Sequence, residues 1–418
     1  MNFNKICVIG LGYIGLPTAA MFASRKIKVV GVDINPETVE TINQGKIHII
    51  EPDLDMVVHA AVTEGYLKAK ITPEASDAFL IAVPTPFIDE TNHEPDLSYI
   101  KSAVDSFAPY LVPGNLVILE STSPVGTTEK ISKWLGNLRP DLLLPHNAGE
   151  KANIKIAHCP ERVLPGKIMK ELIENSRIVG GVSSLCCEAA YELYKKFVKG
   201  KFSFTNARTA ELTKLVENSY RDVNIAFANE LSIICNQLDI NVWDLIALAN
   251  NHPRVNILNP GPGVGGHCLA VDPWFIIDAV PEQAKLIKLS RKVNKNKEKW
   301  VANKICTFLE SKFNKDEDIT VTFFGVSFKP NIDDLRQSPA LRIIKEITEK
   351  FSYRFKIAEP NITKLPDEIS DKVQLVNAGS EDFRTDIAII LVKHNEFLDN
   401  ENLSNITNDC IVDFCGLL

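Results

Sequence analysis

No stretch of this chain approaches the roughly 20 consecutive apolar residues that a bilayer-spanning helix needs, and no charged n-region with an apolar run behind it opens the sequence. Residues 1–10 read directly as a buried strand instead. Positive charge is in short supply as well: 46 Lys and Arg stand against 53 Asp and Glu, a formal net charge of -7. Nucleic acid and anionic membranes both reward clustered Lys and Arg, so neither is expected as a main partner, and any polyanionic ligand must be met by local basic residues. Paired cysteine spacing is missing too. Cys7, Cys159, Cys186, Cys187, Cys235, Cys268, Cys306, Cys410 and Cys415 are odd in number and lack metal-type spacing, which predicts no metal site and fits a reducing, cytoplasmic setting. There is no short-period repeat and no low-complexity segment.

What is present is ordinary globular material, 418 residues with 45% hydrophobic and 24% charged side chains, enough for two or three domains. Short apolar strands are predicted at 5–9, 28–32, 78–83 and 116–120, with a helix over 18–24. This β-α-β alternation implies a parallel sheet covered by helices. Residues 160–166 and 178–181 look like the end of this first domain. From about Thr209 to Ala249 the pattern is helical with few breakers, long enough to bridge two lobes or pack on a second subunit. Residues 282–312 are helical again. A second α/β unit starts at 319–325 and continues through a helix opened by Ser338-Pro339 and strands near 388–392 and 410–414. Cys7 and Cys306 fall in apolar patterns and read as small core residues.

Gly10-Leu-Gly-Tyr-Ile-Gly15 follows a strand and opens a helix, the setting a dinucleotide fingerprint requires. Gly10 permits the turn, Gly12 lets a pyrophosphate approach, and Gly15 lets helix and strand pack. Asp33 ends the second strand, where a carboxylate can accept both ribose hydroxyls and repel a 2′-phosphate, so NAD is favoured over NADP; a flavin or another adenosine cofactor is the alternative. Thr85, in Pro84-Thr85-Pro86, and Thr122 and Thr128, in the turn after 116–120, either hydrogen-bond the cofactor or cap helices.

Two further constellations carry chemistry. Lys214, Asn218 and Arg221 are spaced i, i+4, i+7 and share one helix face, which is either part of a site or a solvated polar stripe. Cys268 lies in Gly261-Pro-Gly-Val-Gly-Gly-His-Cys268, a loop whose glycines let backbone approach a ligand, with Asp272 four residues on. On the loop alone, an inert buried thiol competes with a nucleophile.

The runs Gly10-Leu-Gly-Tyr-Ile-Gly-Leu-Pro17, Glu120-Ser-Thr-Ser-Pro-Val-Gly126, Cys159-Pro-Glu-Arg-Val-Leu-Pro-Gly166, Lys214…Asn218, Gly265-Gly-His-Cys268 and Phe328-Lys-Pro-Asn-Ile-Asp-Asp-Leu-Arg336 together resemble the UDP-glucose/GDP-mannose dehydrogenase family over essentially the whole chain. Pro165 stands where the UDP-glucose branch carries a second glutamate, and Val271 where it carries a lysine. These departures favour the N-acetylhexosamine branch, and the runs 250–258 and 267–275 are similar to its N-acetylmannosamine-oxidising members. The resemblance implies an α/β fold of two Rossmann-like doubly wound domains joined by a central long-helix dimerisation domain: 1–205 for NAD, 206–312 carrying the cysteine loop, and 313–418 for the UDP-sugar.

It also implies two successive NAD-dependent oxidations at C6 of a UDP-N-acetylhexosamine, with UDP-N-acetyl-D-mannosamine as the substrate and UDP-glucose or UDP-N-acetylglucosamine as alternatives. Lys214, directly or through a water held by Asn218 and Asp272, would be the base; Cys268 would capture the aldehyde; Glu161 would activate the hydrolytic water. Gly10, Gly12, Tyr13, Ile14, Gly15, Asp33, Thr85, Thr122, Thr128 and Arg336 would bind NAD. Arg162, Val163, Lys214, Asn218, Arg221, His252, Gly265 and Lys329 would contact the substrate, with Arg254 contributed across a homodimer interface.

Overall fold

The computed structural model describes residues 3–89, 91–314, 317–380, 383–398 and 400–418. It divides into two compact units, Met1–Val216 and Glu217–Leu418.

In the first unit the apolar runs form strands β1 (Lys5–Ile9), β2 (Lys28–Val32), β3 (Leu67–Lys70), β4 (Ala78–Ile81), β5 (Leu116–Leu119), β6 (Lys155–His158), β7 (Arg177–Gly181) and β8 (Phe202–Asn206). They make one 8-stranded sheet in the order β3-β2-β1-β4-β5-β6-β7-β8. The two-residue period of β1 shows how this sheet is buried on both faces. Ile6 and Val8 pack with Leu16, Phe22 and Tyr194 on one side, while Cys7 and Ile9 pack with Phe79, Phe107 and Ile156 on the other. Cys7 is thereby a core residue, its thiol pushed up to about 12 by burial. The sheet departs from the all-parallel expectation at one place: β7 runs antiparallel beside β6, with His158 opposite Gly180. An antiparallel neighbour needs no full crossover, and strand direction leaves no mark on the apolar pattern.

A 31-residue helix, Ala207–Gln237, leads out of this sheet into the second unit. The unbroken helical stretch expected to Ala249 is divided. Asp239 takes a left-handed conformation (φ 55), and Asn241 then caps a separate helix, Val242–Ala249, by accepting the Trp243 N–H at 2.8 Å. A short helix Asp272–Ala279 and a return helix of 28 residues, Lys285–Lys312, follow. The second sheet comprises β9 (Thr320–Phe324), β10 (Arg354–Ala358), β11 (Val373–Val376), β12 (Ile387–Ile390) and β13 (Ile411–Asp413). Its order is β11-β10-β9-β12-β13, with parallel pairs throughout. Val301, Ile305 and Leu309 of the return helix pack with Phe323, Ile343 and Ile347 on one face, and Cys306 is buried among them. The helix Pro339–Lys350 starts as the sequence indicates, with Ser338 as its cap. Among the described residues, no helix is long and apolar enough to cross a membrane.

Candidate active site

Ligands of open parallel sheets sit beyond the carboxyl ends of the strands, at the point where strand order reverses. In the first unit that point lies between β1 and β4. Gly10 there has φ 89, and a Cβ on it would come within 2.6 Å of the Ala82 carbonyl. Gly12 is different, because a Cβ on it would meet nothing within 4 Å. Its smallness is not required by the packing, which leaves room for a ligand. The helix Gly15–Ser24 begins at Ile14 with no side-chain cap, so its first N–H groups and positive dipole end are open to phosphate. Asp33 takes the Leu11 N–H on one oxygen at 3.0 Å and the Asn35 N–H on the other at 2.9 Å. A carboxylate has about four acceptor positions, so two remain for ribose hydroxyls. These features fit NAD.

The turns after β4 and β5 meet along the same rim. Thr85 donates to the Thr122 carbonyl at 2.6 Å. Thr128 is fully buried, and its hydroxyl and N–H both donate to Glu211, at 2.6 and 2.7 Å. Its hydroxyl proton is therefore committed to the protein, and Thr128 caps no helix end, since the helix Thr127–Leu138 starts from Gly126 with no side-chain cap.

Glu161, just past β6, accepts the Arg162 N–H at 2.7 Å on one oxygen and an Arg177 ion pair on the other. Arg177 also faces Glu120 at 3.5 Å and lies 4.1 Å from the Tyr194 ring, while Tyr194 donates to Glu120 at 2.5 Å. Burial pushes the Glu120 carboxyl up to about 7 against the pull of Arg177. Arg162 donates to the Ser176 carbonyl at 2.5 Å, and Val163 packs at the edge of the core. His158, at the end of β6, is held neutral: burial, with a contribution from Lys214, lowers it to about 3. The sequence reading missed Arg177, Glu120 and Tyr194. Its available signal was a charge at the head of one apolar strand and another at the end of a second.

On the long helix, Lys214, Asn218 and Arg221 share a face as expected. Asn218 donates its amide to Asp272 at 2.5 Å, both side chains being buried. Asp272 opens the helix Asp272–Ala279, and its N–H returns to the Cys268 carbonyl at 2.9 Å. Cys268 itself is exposed. The cysteine loop is seated on the 328–339 segment: the Gly266 N–H bonds the Arg336 carbonyl at 3.1 Å, and a Cβ on Gly265 would come within 2.8 Å of Phe328 and Pro339. The Lys329 ammonium is accordingly within electrostatic reach of Cys268. Half-burial and the Arg221 charge lower its pKa, while the Cys268 thiolate and Asp334 oppose them. Arg336 is engaged by Asp334 at 2.6 Å. His252 and Arg254 are exposed in the turn after Val242–Ala249. Among the described residues, no group of three or more His, Cys, Asp or Glu is arranged to hold a metal ion.

A Rossmann crevice with an acid at its second strand defines the protein as an NAD-dependent α/β dehydrogenase. Three family profiles match in succession: the NAD binding domain of the UDP-glucose/GDP-mannose dehydrogenase family over residues 4–198, its central domain over 208–296, and its UDP binding domain over 322–418. The chain belongs to the UDP-glucose/GDP-mannose dehydrogenase family. It is 56% identical over 416 residues to a UDP-N-acetyl-D-mannosamine dehydrogenase of Campylobacter jejuni, covering 99% of this chain and 100% of that one. An NDP-N-acetyl-D-galactosaminuronic acid dehydrogenase of Ralstonia nicotianae is 54% identical, over 97% of this chain and 95% of its own. Among solved structures, the UDP-N-acetyl-mannosamine dehydrogenase of Staphylococcus aureus matches at 41% identity and a TM-score of 0.85, over 99% of this chain and 95% of that chain.

Proposed function

We propose that the chain oxidises UDP-N-acetyl-D-mannosamine at C6 to the uronate, using Lys214, Asn218, Asp272, Cys268 and Glu161. The supporting observation is Cys268 exposed in its glycine loop, with Lys329 in electrostatic reach and Asp272 clasped by Asn218. NAD, when bound, accepts one hydride in each of two oxidations. Lys214 removes the proton of the C6 hydroxyl, directly or through water that Asn218 and Asp272 orient. Cys268 then adds through Sγ to the aldehyde, giving a thiohemiacetal whose oxygen Lys214 stabilises. Lys214, having given its proton to that oxygen, takes it back as the second hydride is lost, which leaves a thioester on Cys268. A water that loses its proton to Glu161 displaces Sγ and releases the acid.

Arg162, Val163, Arg221, His252, Gly265 and Lys329 are assigned to the UDP-sugar, and Tyr13, Ile14, Gly15, Thr85, Thr122, Thr128 and Arg336 join Gly10, Gly12 and Asp33 around NAD. Domain limits at 205/206 and 312/313 go with this assignment. A homodimer with Arg254 reaching the partner's site is supported by Leu212, Val216, Tyr220, Phe227 and Ile234, exposed at helical spacing along the long helix. A cytoplasmic location suits an enzyme that needs NAD and a reduced thiol.

The test is NADH formed per sugar across UDP-N-acetylmannosamine, UDP-N-acetylglucosamine, UDP-glucose and a galactosamine-configured UDP-sugar, the last prompted by the Ralstonia relative. We expect two NADH and the highest kcat/KM with the mannosamine. Cys268→Ser is expected to stop at the aldehyde or stall. One NADH per sugar from the unaltered enzyme, or full activity in that variant, overturns the reading.

A further inference from the structure

Nine residues, 261–269, form the cysteine loop, and one buried polar network takes hold of both its ends. At the start, Asn229 accepts the Gly261 N–H on Oδ1 at 2.9 Å. At the end, Arg291 donates through Nη1 to the Leu269 carbonyl at 3.3 Å, one residue past Cys268. The two anchors are joined through the protein interior. Asn229 donates Nδ2 to Asn294 Oδ1 at 2.9 Å, and Asn294 donates Nδ2 to Asp222 Oδ1 at 2.8 Å and to the Asp222 carbonyl at 3.1 Å. Arg291 donates Nη1 to Asp222 Oδ1 at 2.6 Å. Relative exposures are 0% for Asp222 and Asn229, 8% for Arg291 and 1% for Asn294.

The sequence spacing makes this arrangement possible. Asp222 and Asn229 are seven residues apart on the long helix, and Arg291 and Asn294 are three apart on the return helix, so each pair shares a face. Holding two helices together does not call for such residues. Burying an aspartate, an arginine and two amides carries a desolvation cost, and apolar side chains of similar volume often serve as well or better. What apolar side chains cannot do is fix the direction of a backbone N–H and a backbone carbonyl at two ends of a glycine-rich loop. Between those ends, Gly265 and Gly266 give the chain little intrinsic preference for one conformation.

We infer that Asp222, Asn229, Arg291 and Asn294 are positioning residues that aim the Cys268 sulfur at the aldehyde. The inference rests on the reading that Cys268 captures that aldehyde. In the first oxidation C6 loses a hydride and its hydroxyl loses a proton, and Sγ takes no part. In the second, the Sγ–C6 bond must form before the next hydride leaves. A loop released at either end therefore spares the first step and impairs the second. Displacement of a reacting group by about 1 Å costs on the order of 10²-fold in rate.

The experiment compares Asn229→Ala, Arg291→Met and Arg291→Lys in the full-length enzyme, following NADH in single turnover and trapping released aldehyde with a hydrazine. We expect NADH per sugar to fall from two toward one in Asn229→Ala and Arg291→Met, with trapped aldehyde rising to match. The first hydride should stay within about 3-fold of the unaltered rate and the second should slow about 10²-fold, with Arg291→Lys restoring part of the loss. Asn229→Ala decides the matter if Arg291→Met does not fold, because it retains the Asp222–Arg291 pair. Two NADH per sugar at the normal second rate, or equal slowing of both steps, overturns the inference. Cys268→Ala serves as the reference and should give one NADH with free aldehyde. Two NADH from Cys268→Ala would remove the cysteine reading itself, whereas two from Asn229→Ala alone would remove only the positioning role.

Discussion

The two sheets begin in the same way and end in different uses. Both have the first strand flanked by the second and fourth, as β3-β2-β1-β4 and β11-β10-β9-β12. Each first strand runs into a glycine with positive φ, Gly10 at 89 and Gly325 at 86. Each of these glycines donates its N–H to the last residue of the second strand, to Val32 at 2.8 Å and to Ala358 at 2.9 Å. An acid follows that strand in each case and accepts the N–H of the residue after the glycine, Asp33 from Leu11 at 3.0 Å and Glu359 from Val326 at 2.8 Å.

Beyond that point the likeness stops. In the first sheet the next helix starts at Gly15, uncapped by any side chain, and Asp33 keeps acceptor capacity. In the second, a long loop separates Gly325 from the helix Pro339–Lys350, whose Leu341 N–H is taken by Ser338 at 3.2 Å. Glu359 is buried and fully used: it accepts from the Val326 and Ser327 N–H groups, from Asn361, and from His394 at 3.0 Å. His394 takes the Asn331 N–H on Nδ1 at 3.0 Å, which leaves Nε2 to donate to Glu359. Burial raises the Glu359 pKa, but the His394 bond and the backbone donors outweigh it and hold the carboxyl low. One topology thus leaves an acid open for a ribose, and its counterpart spends the acid on fixing the loop that carries Lys329.

The sharpest way to break this comparison is Glu359→Ala. It strands His394 and two buried N–H groups, so the second unit should lose about 3–5 kcal/mol by urea denaturation, with NADH affinity unchanged. Weaker NADH binding at unchanged stability would end the distinction. The reciprocal change, Gly12→Val, places a side chain where the fold has space. NADH should bind about 10²-fold more weakly in a fluorescence titration, a loss of roughly 2.7 kcal/mol, while stability stays within about 0.5 kcal/mol. A large stability loss would show that Gly12 is needed for packing.

The smallest effect is a difference in pH response between the units. Glu120 has a folded pKa of about 7 against 4.5 unfolded, so the folded first unit holds a proton that the unfolded chain has released, and stability falls as pH rises through that window. Lys297 in the second unit is lowered from 10.5 to about 7 by burial. There the unfolded chain holds the extra proton, and stability rises between those values. Each slope is at most about 1.4 kcal/mol per pH unit. Glu120→Gln should flatten the acid-side slope and Lys297→Met the alkaline one, measured as denaturation midpoints from pH 4.5 to 10. Unchanged slopes would show that the two side chains keep ordinary pKa values in the fold.

Local pattern carried much of this molecule. The strand–glycine–helix run with Asp33 identified the NAD crevice, helical spacing put Lys214, Asn218 and Arg221 on one face, and Ser338-Pro339 announced its helix. Other features had no local signature. The antiparallel entry of β7 depends on strand direction, which apolar content does not encode. The break at Asp239 turns on a single left-handed residue. Arg177 reads as an ordinary strand-edge cation until Glu120, Glu161 and Tyr194 close around it, and Asn229 as a polar helix residue until Gly261 meets it.

By itself the sequence determined the first strands of both α/β units and the cofactor, because these depend on periodicity and short-range turn chemistry that a few adjacent residues carry. It conveyed the family through motifs spread over the whole chain. The strands at Leu67–Lys70, Lys155–His158, Phe202–Asn206, Arg354–Ala358 and Val373–Val376 were not read from it. The tertiary structure decided which groups are held and which stay open. Asp33 retains acceptor capacity while Glu359 is consumed, Asn218 reaches Asp272 across 54 residues of chain, and both ends of the cysteine loop are pinned by two helices. Burial and hydrogen-bond partnership are set by contacts between distant segments, and those contacts exist after the chain has folded.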